Sequence, residues 1–339
     1  MGGWNETDLI KKIEKVKKIK YVCVNPKTIE CDKKLEPIAT LSGKADQYYV
    51  VVFPKETKEI REMFEKFGYL SDDIFYINHC PIRVEKDGTD KYGNTLKGFN
   101  NLKNKSILVF FEGYEANVCL GENIECEKMK IIAGGNTNIM IDDNCKFNGE
   151  CFFSLRNLDS IMKSEIKIGN ECSFISGTFS SFGGKINIGN HSTYGKEFRA
   201  TASYGMAINI GVECMFSHEI ALYSGDGHTI YDVQKDKVLN SVNSMPEQRK
   251  KLDIGNHVWV GYRSVILNNS RIGDGSIIGA DSLVKNQFPN NCMIAGKPAR
   301  VLKKNIAWSR NPIPIDSSKM MLSEEMYYNF TEEEMHEYL

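Results

Sequence analysis

LDIGNHVWVGYRSVILNNSRIGDGSIIGADSLVKN, Leu252 to Asn286, puts an aliphatic residue at every sixth position. Ile254, Val260, Ile266, Ile272, Ile278 and Val284 form the series. Val258, Ser264, Ser270, Ser276 and Ser282, mostly small, stand four residues after the first five members. Gly255, Gly261, Gly273 and Gly279 directly follow an aliphatic residue. An α-helix does not explain this spacing. Six residues advance a helix by about 600°, so the apolar stripe would precess around it. A coil with three flat faces does explain it. One aliphatic residue per face points inward, a small residue fills each corner, and glycine permits the turn.

The same rhythm runs upstream in shorter registers. Ile141, Phe147 and Phe153 form one set, and Ile168, Phe174 and Ser180 a second. Ile188, Tyr194 and Ala200 follow, then Ile210, Phe216 and Leu222. Offsets between sets mean loops or bulges. Cys145, Cys151, Cys172 and Cys214 each fall on the small corner position, four residues after an inward one. They read as small buried hydrophobes. None of the ten cysteines forms a CxxC pair or a Cys/His cluster of zinc type, and no metal is expected.

The pattern resembles the left-handed parallel β-helix of the hexapeptide-repeat acyltransferases, over about residues 106–303 and most strongly 208–303. Within that family the chain is most similar to the O-acetyltransferases of sugars and xenobiotics. The residues that carry the likeness are GDGHTIYD, IGNHVWVG, IIGADSLV and AGKPARVLKK, in that order. The resemblance implies acetyl-CoA as co-substrate and a homotrimer with sites between subunits. The fold class is therefore mainly β, a left-handed parallel β-helix preceded by a small α/β domain.

The repeat breaks at SGDGHTIYD, Ser224 to Asp232, and resumes at Leu252. Continued phase would bury His228 after Leu222, but Gly225 and Gly227 release the backbone from the strand. An excursion of this length, loop 224–251, is functional or disordered in a compact domain, and the resemblance favours function. By resemblance, His228 is the general base and the loop packs on a neighbouring subunit. The chemistry suits a histidine. An imidazole, with an ordinary pKa near 6.5, can take a proton from an attacking hydroxyl at neutral pH and release it afterwards. Asp226, before Asp232, is the carboxylate expected to hold the imidazole tautomer, a backbone carbonyl being the alternative.

Trp259 lies on an outward phase, and a large exposed aromatic on a coil marks an interface. By resemblance it sits near the catalytic histidine and the pantetheine arm of CoA. Gly261 and Ala280 are small enough for their backbones to meet that arm, and Ala280 falls where the family's acetyl-CoA contact lies. Lys285, Lys297, Arg300 and Lys303 form a basic strip at the end of the coil, suited to the phosphates of CoA. Arg300 matches the family's basic residue in the PAR segment. His191 and His257 share one phase, which reads as exposed, and His218 is placed to line the cleft near His228. A γ-type carbonic anhydrase uses this same coil with three histidines on zinc. The closely spaced histidine pair of that family is absent here.

The first hundred residues differ. QYYVVVFP (47–54), an amphipathic run with Ile60, Phe64 and Phe67, and DDIFYI (72–77) read as strand, helix and strand of a βαβ unit. No GxGxxG or Walker sequence marks its first turn, so it reads as accessory or substrate-orienting. Lys86 to Lys105 is polar and rich in Gly and Asn, and reads as a surface loop before a boundary at 105/106. After 303, WSRNPIPI (308–315) is expected to lie across the coil, and the acidic end of the 304–339 extension reads as a short helix.

Composition sets the remaining bounds. The 339 residues are 41% hydrophobic and 26% charged, with a formal net charge of -1, so no global field recruits nucleic acid or an acidic membrane. No run of about 18 apolar residues occurs, and the N-terminus lacks a signal peptide's apolar centre. A cytoplasmic location is expected. The expected function is acetyl-CoA-dependent O-acetylation of a sugar in a cell-surface polysaccharide: capsule, lipopolysaccharide or sialic acid. Acetylation of the amino group of an amino-sugar nucleotide is one alternative. A catalytically silent trimeric scaffold is another.

Overall fold

The computed structural model describes residues 82–90, 93–102, 106–113, 115–156 and 163–310, with residues 50–52, 66 and 74–76. The chain divides into two compact units, one of residues 1–81 and 112–114, the other of 82–111 and 115–339. In the first, Val50–Val52 and Ile74–Tyr76 pair in parallel, as a βαβ unit requires. Most of the helix expected between them lies outside the described residues.

The second unit is the coil. Its first face stacks Thr95–Lys97, Asn117–Leu120, Thr137–Ile141, Ser164–Ile168, Lys185–Ile188, Ala207–Ile210, Lys251–Ile254, Arg271–Ile272 and Gln287–Phe288 in parallel register. The second face runs through Ser173–Phe174, Thr193–Tyr194, Met215–Phe216, Trp259–Val260, Ile277–Ile278 and Met293–Gly296. The third runs through Gly177–Ser181, Phe198–Ala202, Ala221–Tyr223, Val265–Leu267 and Leu283–Val284. Strand Lys146–Leu155 bends between Phe147 and Glu150 and so serves both of the last two faces.

The inward residues are the predicted ones, with one change. Ile254, Val260, Ile266, Ile272, Ile278 and Val284 are all buried, as are Phe147, Phe153, Phe174, Tyr194, Ala200, Phe216 and Leu222. In one coil Phe179 takes the inward place expected for Ser180, because the corner after Phe174 is one residue shorter. The N-terminal coils are filled by aromatic rings: Phe147, Phe174, Tyr194 and Phe216 stack in one column at 4.4–5.2 Å between centroids. Among the described residues the Tyr194 hydroxyl, which is buried, finds no well-formed hydrogen bond. Ser192 beside it already accepts the Cys214 N–H at 3.0 Å. Removing an unpaired buried hydroxyl relieves a desolvation cost. Tyr194→Phe is therefore expected to raise stability by about 1 kcal/mol in urea unfolding, and a loss of that size would show that the hydroxyl is satisfied.

The corners explain the repeated Ile-Gly-Asn/Asp triplets. Asn170, Asn190, Asn256 and Asn290 each accept a backbone N–H from the preceding coil through Oδ1. Glycine precedes the first three and Pro289 the fourth; at this corner a Cβ on Gly169 or Gly211 would lie 2.2 or 2.4 Å from the Oδ1 of the next coil's asparagine. Cys145, Cys172 and Cys214 are buried at this corner, and each thiol donates to a carbonyl of the next coil at 3.1–3.2 Å. Burial pushes the Cys151 and Cys214 thiols up to about 12. Among the described residues no group of His, Cys, Asp and Glu is placed to hold a metal ion. No helix among them is long and apolar enough to cross a membrane.

Two further expectations change. The stretch read as a loop before residue 106 contributes strands. Gly88–Thr89 and Thr95–Lys97 form a hairpin, and Leu96 enters the core opposite Val118. The coil unit therefore begins at Ile82. His257 is buried rather than exposed, because Trp308 folds over it. The rings stack at 4.1 Å, the Trp308 indole N–H donates to the His257 carbonyl at 2.8 Å, and His257 Nε2 lies 3.0 Å from the Trp308 carbonyl oxygen. Residues 304–310 do lie across the coil, where Arg310 donates to the carbonyls of Glu213 and Cys214, while the rest of the 308–315 stretch and the acidic end expected as a helix lie outside the described residues.

Candidate active site

The coil leaves its path after an ordinary corner. Ser224 is buried and accepts the Ser203 N–H through Oγ at 3.0 Å. Gly225 then packs against Ser203, where a Cβ would meet the serine side chain at 2.7 Å. Gly227 adopts φ 74, a left-handed conformation, and opens onto free space. His228 follows it and is exposed. Beyond it the loop forms a short hairpin, Tyr231–Asp232 with Lys237–Val238, before the first-face strand Lys251–Ile254.

A residue that the sequence did not single out fixes this loop. Asn240 donates to the His228 carbonyl at 2.7 Å and to Asp226 Oδ2 at 3.2 Å, and its Oδ1 accepts the Ile230 N–H at 2.9 Å. One amide thus ties both sides of His228. Asp226 is engaged by Asn240, and among the described residues no hydrogen bond joins it to the imidazole. Asp232 is spent on the hairpin turn, accepting the Gln234 and Lys235 N–H groups. Nothing in the sequence marked Asn240, since its partners, two backbone groups and the Asp226 carboxylate, are brought to it only by the hairpin. Asn240→Ala is expected to loosen the loop and to lower kcat about tenfold or more while the unfolding midpoint barely moves. Unchanged kcat would remove Asn240 from the site.

His218 stands apart. Its Nδ1 accepts the Lys196 N–H at 2.8 Å, so it serves the corner between the second and third faces. Gly261 and Ala280 lie on that same corner. The Gly261 N–H is used by the Ile278 carbonyl at 2.7 Å, whereas nothing among the described residues accepts the Ala280 N–H. Trp259 is 38% exposed on the second face, with Trp308 at 6.0 Å. Lys285 and Arg300 are exposed. Arg300 stands on the hairpin Met293–Gly296 with Ala299–Lys303, which closes the coil. Lys297 pairs with Asp281 at 2.7 Å, and this bond holds the Asp281 carboxyl below its ordinary range.

The sequence-predicted residues thus form two groups. Gly261 stands at the entry to the third-face strand Val265–Leu267, and Ser224 follows the exit of the neighbouring strand Ala221–Tyr223. The corner carrying Gly261 and Ala280 and the corner from which His228 departs are therefore opposite edges of one face.

A parallel three-faced coil with inward aliphatics at hexad spacing defines the class. Residues 253–286 match the family described as bacterial transferase hexapeptide (six repeats). The chain carries the hexapeptide-repeat left-handed β-helix that its sequence resembled. Among individual relatives, it is 30% identical over 128 residues to the polysialic acid O-acetyltransferase of Escherichia coli O1:K1 / APEC, covering 38% of this chain and 39% of that one. It is 32% identical over 125 residues to the galactoside O-acetyltransferase of Escherichia coli (strain K12), covering 37% and 56%. With the polysialic acid O-acetyltransferase of Neisseria meningitidis the identity is 28% over 182 residues, covering 53% and 78%. The chain thus spans between about two-fifths and three-fifths of the first two relatives. The crystal structure of the polySia specific acetyltransferase NeuO shares the fold, with TM-score 0.50 and 23% identity over 70% of this chain and 93% of that one.

Proposed function

We propose that the protein transfers an acetyl group from acetyl-CoA to a hydroxyl of a sugar in a cell-surface polysaccharide, with His228 as general base. The observation that carries the reading is His228 itself, exposed past a left-handed glycine, on a loop that one asparagine clamps from both sides. The relatives named as polysialic acid and galactoside O-acetyltransferases support the reaction class. The sugar hydroxyl oxygen attacks the thioester carbonyl carbon, its proton passes to an imidazole nitrogen, and the C–S bond breaks. The proton then goes to the departing thiolate. A positioned base contributes about 10²- to 10⁴-fold. Asp226 does not orient the ring directly; through Asn240 it helps to set the backbone on which the ring stands.

Acetyl-CoA fits the opposite corner. The unpaired Ala280 N–H and the Gly261 carbonyl can meet the amides of the pantetheine arm, and Trp259 offers an apolar wall. Lys285 and Arg300 supply cations for the phosphates, and Lys297 can join them by leaving Asp281. Because one copy separates this corner from His228, the working site needs two copies: His228 of one against Trp259, Gly261 and Ala280 of another. A homotrimer satisfies this around the whole assembly. The loop is suited to that contact, with Tyr231 62%, Val233 91% and Leu239 57% exposed. Thiol release from acetyl-CoA in the presence of polysialic acid, lipopolysaccharide glycans, free sugars and amino-sugar nucleotides tests the reading. Acceptor-dependent release with a hydroxyl acceptor is expected. Release only with an amino-sugar nucleotide would make the enzyme an N-acetyltransferase, and no binding of acetyl-CoA at all would leave a scaffold.

A further inference from the structure

The corner between the second and third faces is capped differently from the other two. Elsewhere a side chain of the next coil accepts the backbone N–H that the turn exposes, as Asn190 Oδ1 does for Asn170 and Ser224 Oγ for Ser203. Here Lys196, His218, Tyr262 and Ala280 stand in one column, because the N–H groups of Glu219, Arg263 and Asp281 donate in turn to the carbonyls of Lys196, His218 and Tyr262. His218 Nδ1 caps the Lys196 N–H at 2.8 Å. Gly195 makes room for the ring, since a Cβ there would lie 2.6 Å from Nδ1. After His218 the capping ends: among the described residues nothing accepts the N–H groups of His218, Tyr262 and Ala280. His218 is thus the residue at which a sealed corner becomes an open one.

The bond to Lys196 fixes the state of this imidazole. A nitrogen that accepts an N–H carries no proton, so the neutral ring holds its proton on Nε2. That Nε2–H has no acceptor among the described residues, and the side chain is exposed. The carboxylate next to it in the chain, Glu219, accepts the Tyr262 hydroxyl at 2.7 Å and faces Arg263 at 3.8 Å. Length sets what reaches the ring. Arg300 stands on the hairpin strand paired with Met293–Gly296, which is the coil after Ala280. His218 lies three coil rises before that hairpin, about 14 Å. The arm of CoA from phosphate oxygen to sulfur has about twelve bonds and, extended, covers roughly 14 Å. With its phosphates on Arg300 and its arm past Ala280 and Tyr262, acetyl-CoA brings its thioester to His218.

We propose that His218 is a second catalytic residue, whose Nε2–H donates to the carbonyl oxygen of the thioester. The inference rests on the acetyl-transfer reading of the two corners. As the sugar oxygen forms its bond to the carbonyl carbon, negative charge collects on the carbonyl oxygen. A donor already in place there favours the transition state over the ground state. The hydroxyl proton goes to His228 of the facing copy, the C–S bond breaks as the carbonyl re-forms, and the thiolate takes the proton from His228. His218 keeps its own proton throughout. The two imidazoles divide the work. His228 stands on a loop where it can gain and lose a proton, whereas Lys196 holds His218 in the state that donates.

Two substitutions separate this role from corner capping. His218→Asn keeps an acceptor at the place of Nδ1, as Asn190 has at its own corner, and removes the Nε2–H. His218→Gln keeps a donor at the place of Nε2 and removes the cap. His218→Asn is expected to hold the parental unfolding midpoint and KM for acetyl-CoA while kcat falls about 10²-fold. His218→Gln is expected to unfold more readily and yet to keep more of kcat than His218→Asn does. The reverse ranking of kcat would leave His218 a cap and nothing more. A second readout needs no turnover: the infrared carbonyl band of carbonyl-labelled acetyl-CoA bound to the full chain. A hydrogen bond to the carbonyl lowers that band, so it should lie lower on the parent and on His218→Gln than on His218→Asn. One band position for all three overturns the inference. If thiol release requires His228 but neither kcat nor the band responds to His218→Asn, the reaction stands and the role of His218 fails. If no acceptor supports thiol release and the band still moves as expected, the transfer reading fails and the contact of His218 with the thioester stands.

Discussion

Replacing His228 with alanine is expected to lower acceptor-dependent thiol release by about 10²- to 10⁴-fold, equivalent to about 3 to 5 kcal/mol of transition-state stabilisation. The substitution removes the imidazole and leaves its frame. Gly227 keeps its left-handed turn, and Asn240 still donates to the backbone carbonyl of residue 228. With acetyl-CoA on the opposite corner, as proposed, its KM should change little. A fall in kcat at near-constant KM is the signature of an interaction made in the transition state. Thiol release measured against any acceptor that the parent uses decides the matter. A variant with parental kcat would show that the break in the repeat serves assembly and not proton transfer. A variant with a raised KM for acetyl-CoA and unchanged kcat would place His228 on the cofactor and not at the reacting hydroxyl.

Much of this molecule is legible in its sequence because a solenoid repeats its constraints. The inward hexads at Ile254 to Val284 and the corner cysteines follow from position alone, since each coil meets the same two neighbours. The reading slipped where one coil departs from the mean. A corner one residue shorter brought Phe179 inward in place of Ser180. His257 has the phase of an exposed residue, and only a segment about fifty residues later in the chain, carrying Trp308, buries it. The site divides in the same way. Two glycines just before a histidine announced the excursion at 224, because glycine weakens a strand and marks a bend in it. Asn240 carried no signal, because its role depends on the hairpin that returns it to His228. Asp226 looked like the partner of a histidine two residues away, yet the left-handed turn at Gly227 leaves its carboxylate on Asn240 instead.

Phe174→Ala is expected to cost about 3 to 5 kcal/mol, the largest loss of stability from any single truncation in the coil. The ring lies flat between two others, 5.2 Å from Phe147 and 4.4 Å from Tyr194, and meets Phe179 edge-on at 5.3 Å. Truncation opens a space that no neighbour can fill, because all three rings are fully buried and held by their own coils. In a solenoid the loss is local, falling on the contacts between adjacent coils. Native-state hydrogen exchange should therefore show the amides of Ser173–Phe174 and Thr193–Tyr194 opening well before those of Trp259–Val260 and Ile277–Ile278. The His228 loop leaves from the coil next to the weakened ones, so turnover should fail at a lower temperature than the acetyl-CoA binding proposed for the C-terminal coils. Ile278→Val, which removes one methylene from a C-terminal coil, is the matched control and should cost only about 0.5 to 1.5 kcal/mol. If both variants lose the same stability, or if the whole coil opens together in the Phe174 variant, the aromatic column is not a separate source of order and the three-faced coil melts as one cooperative body.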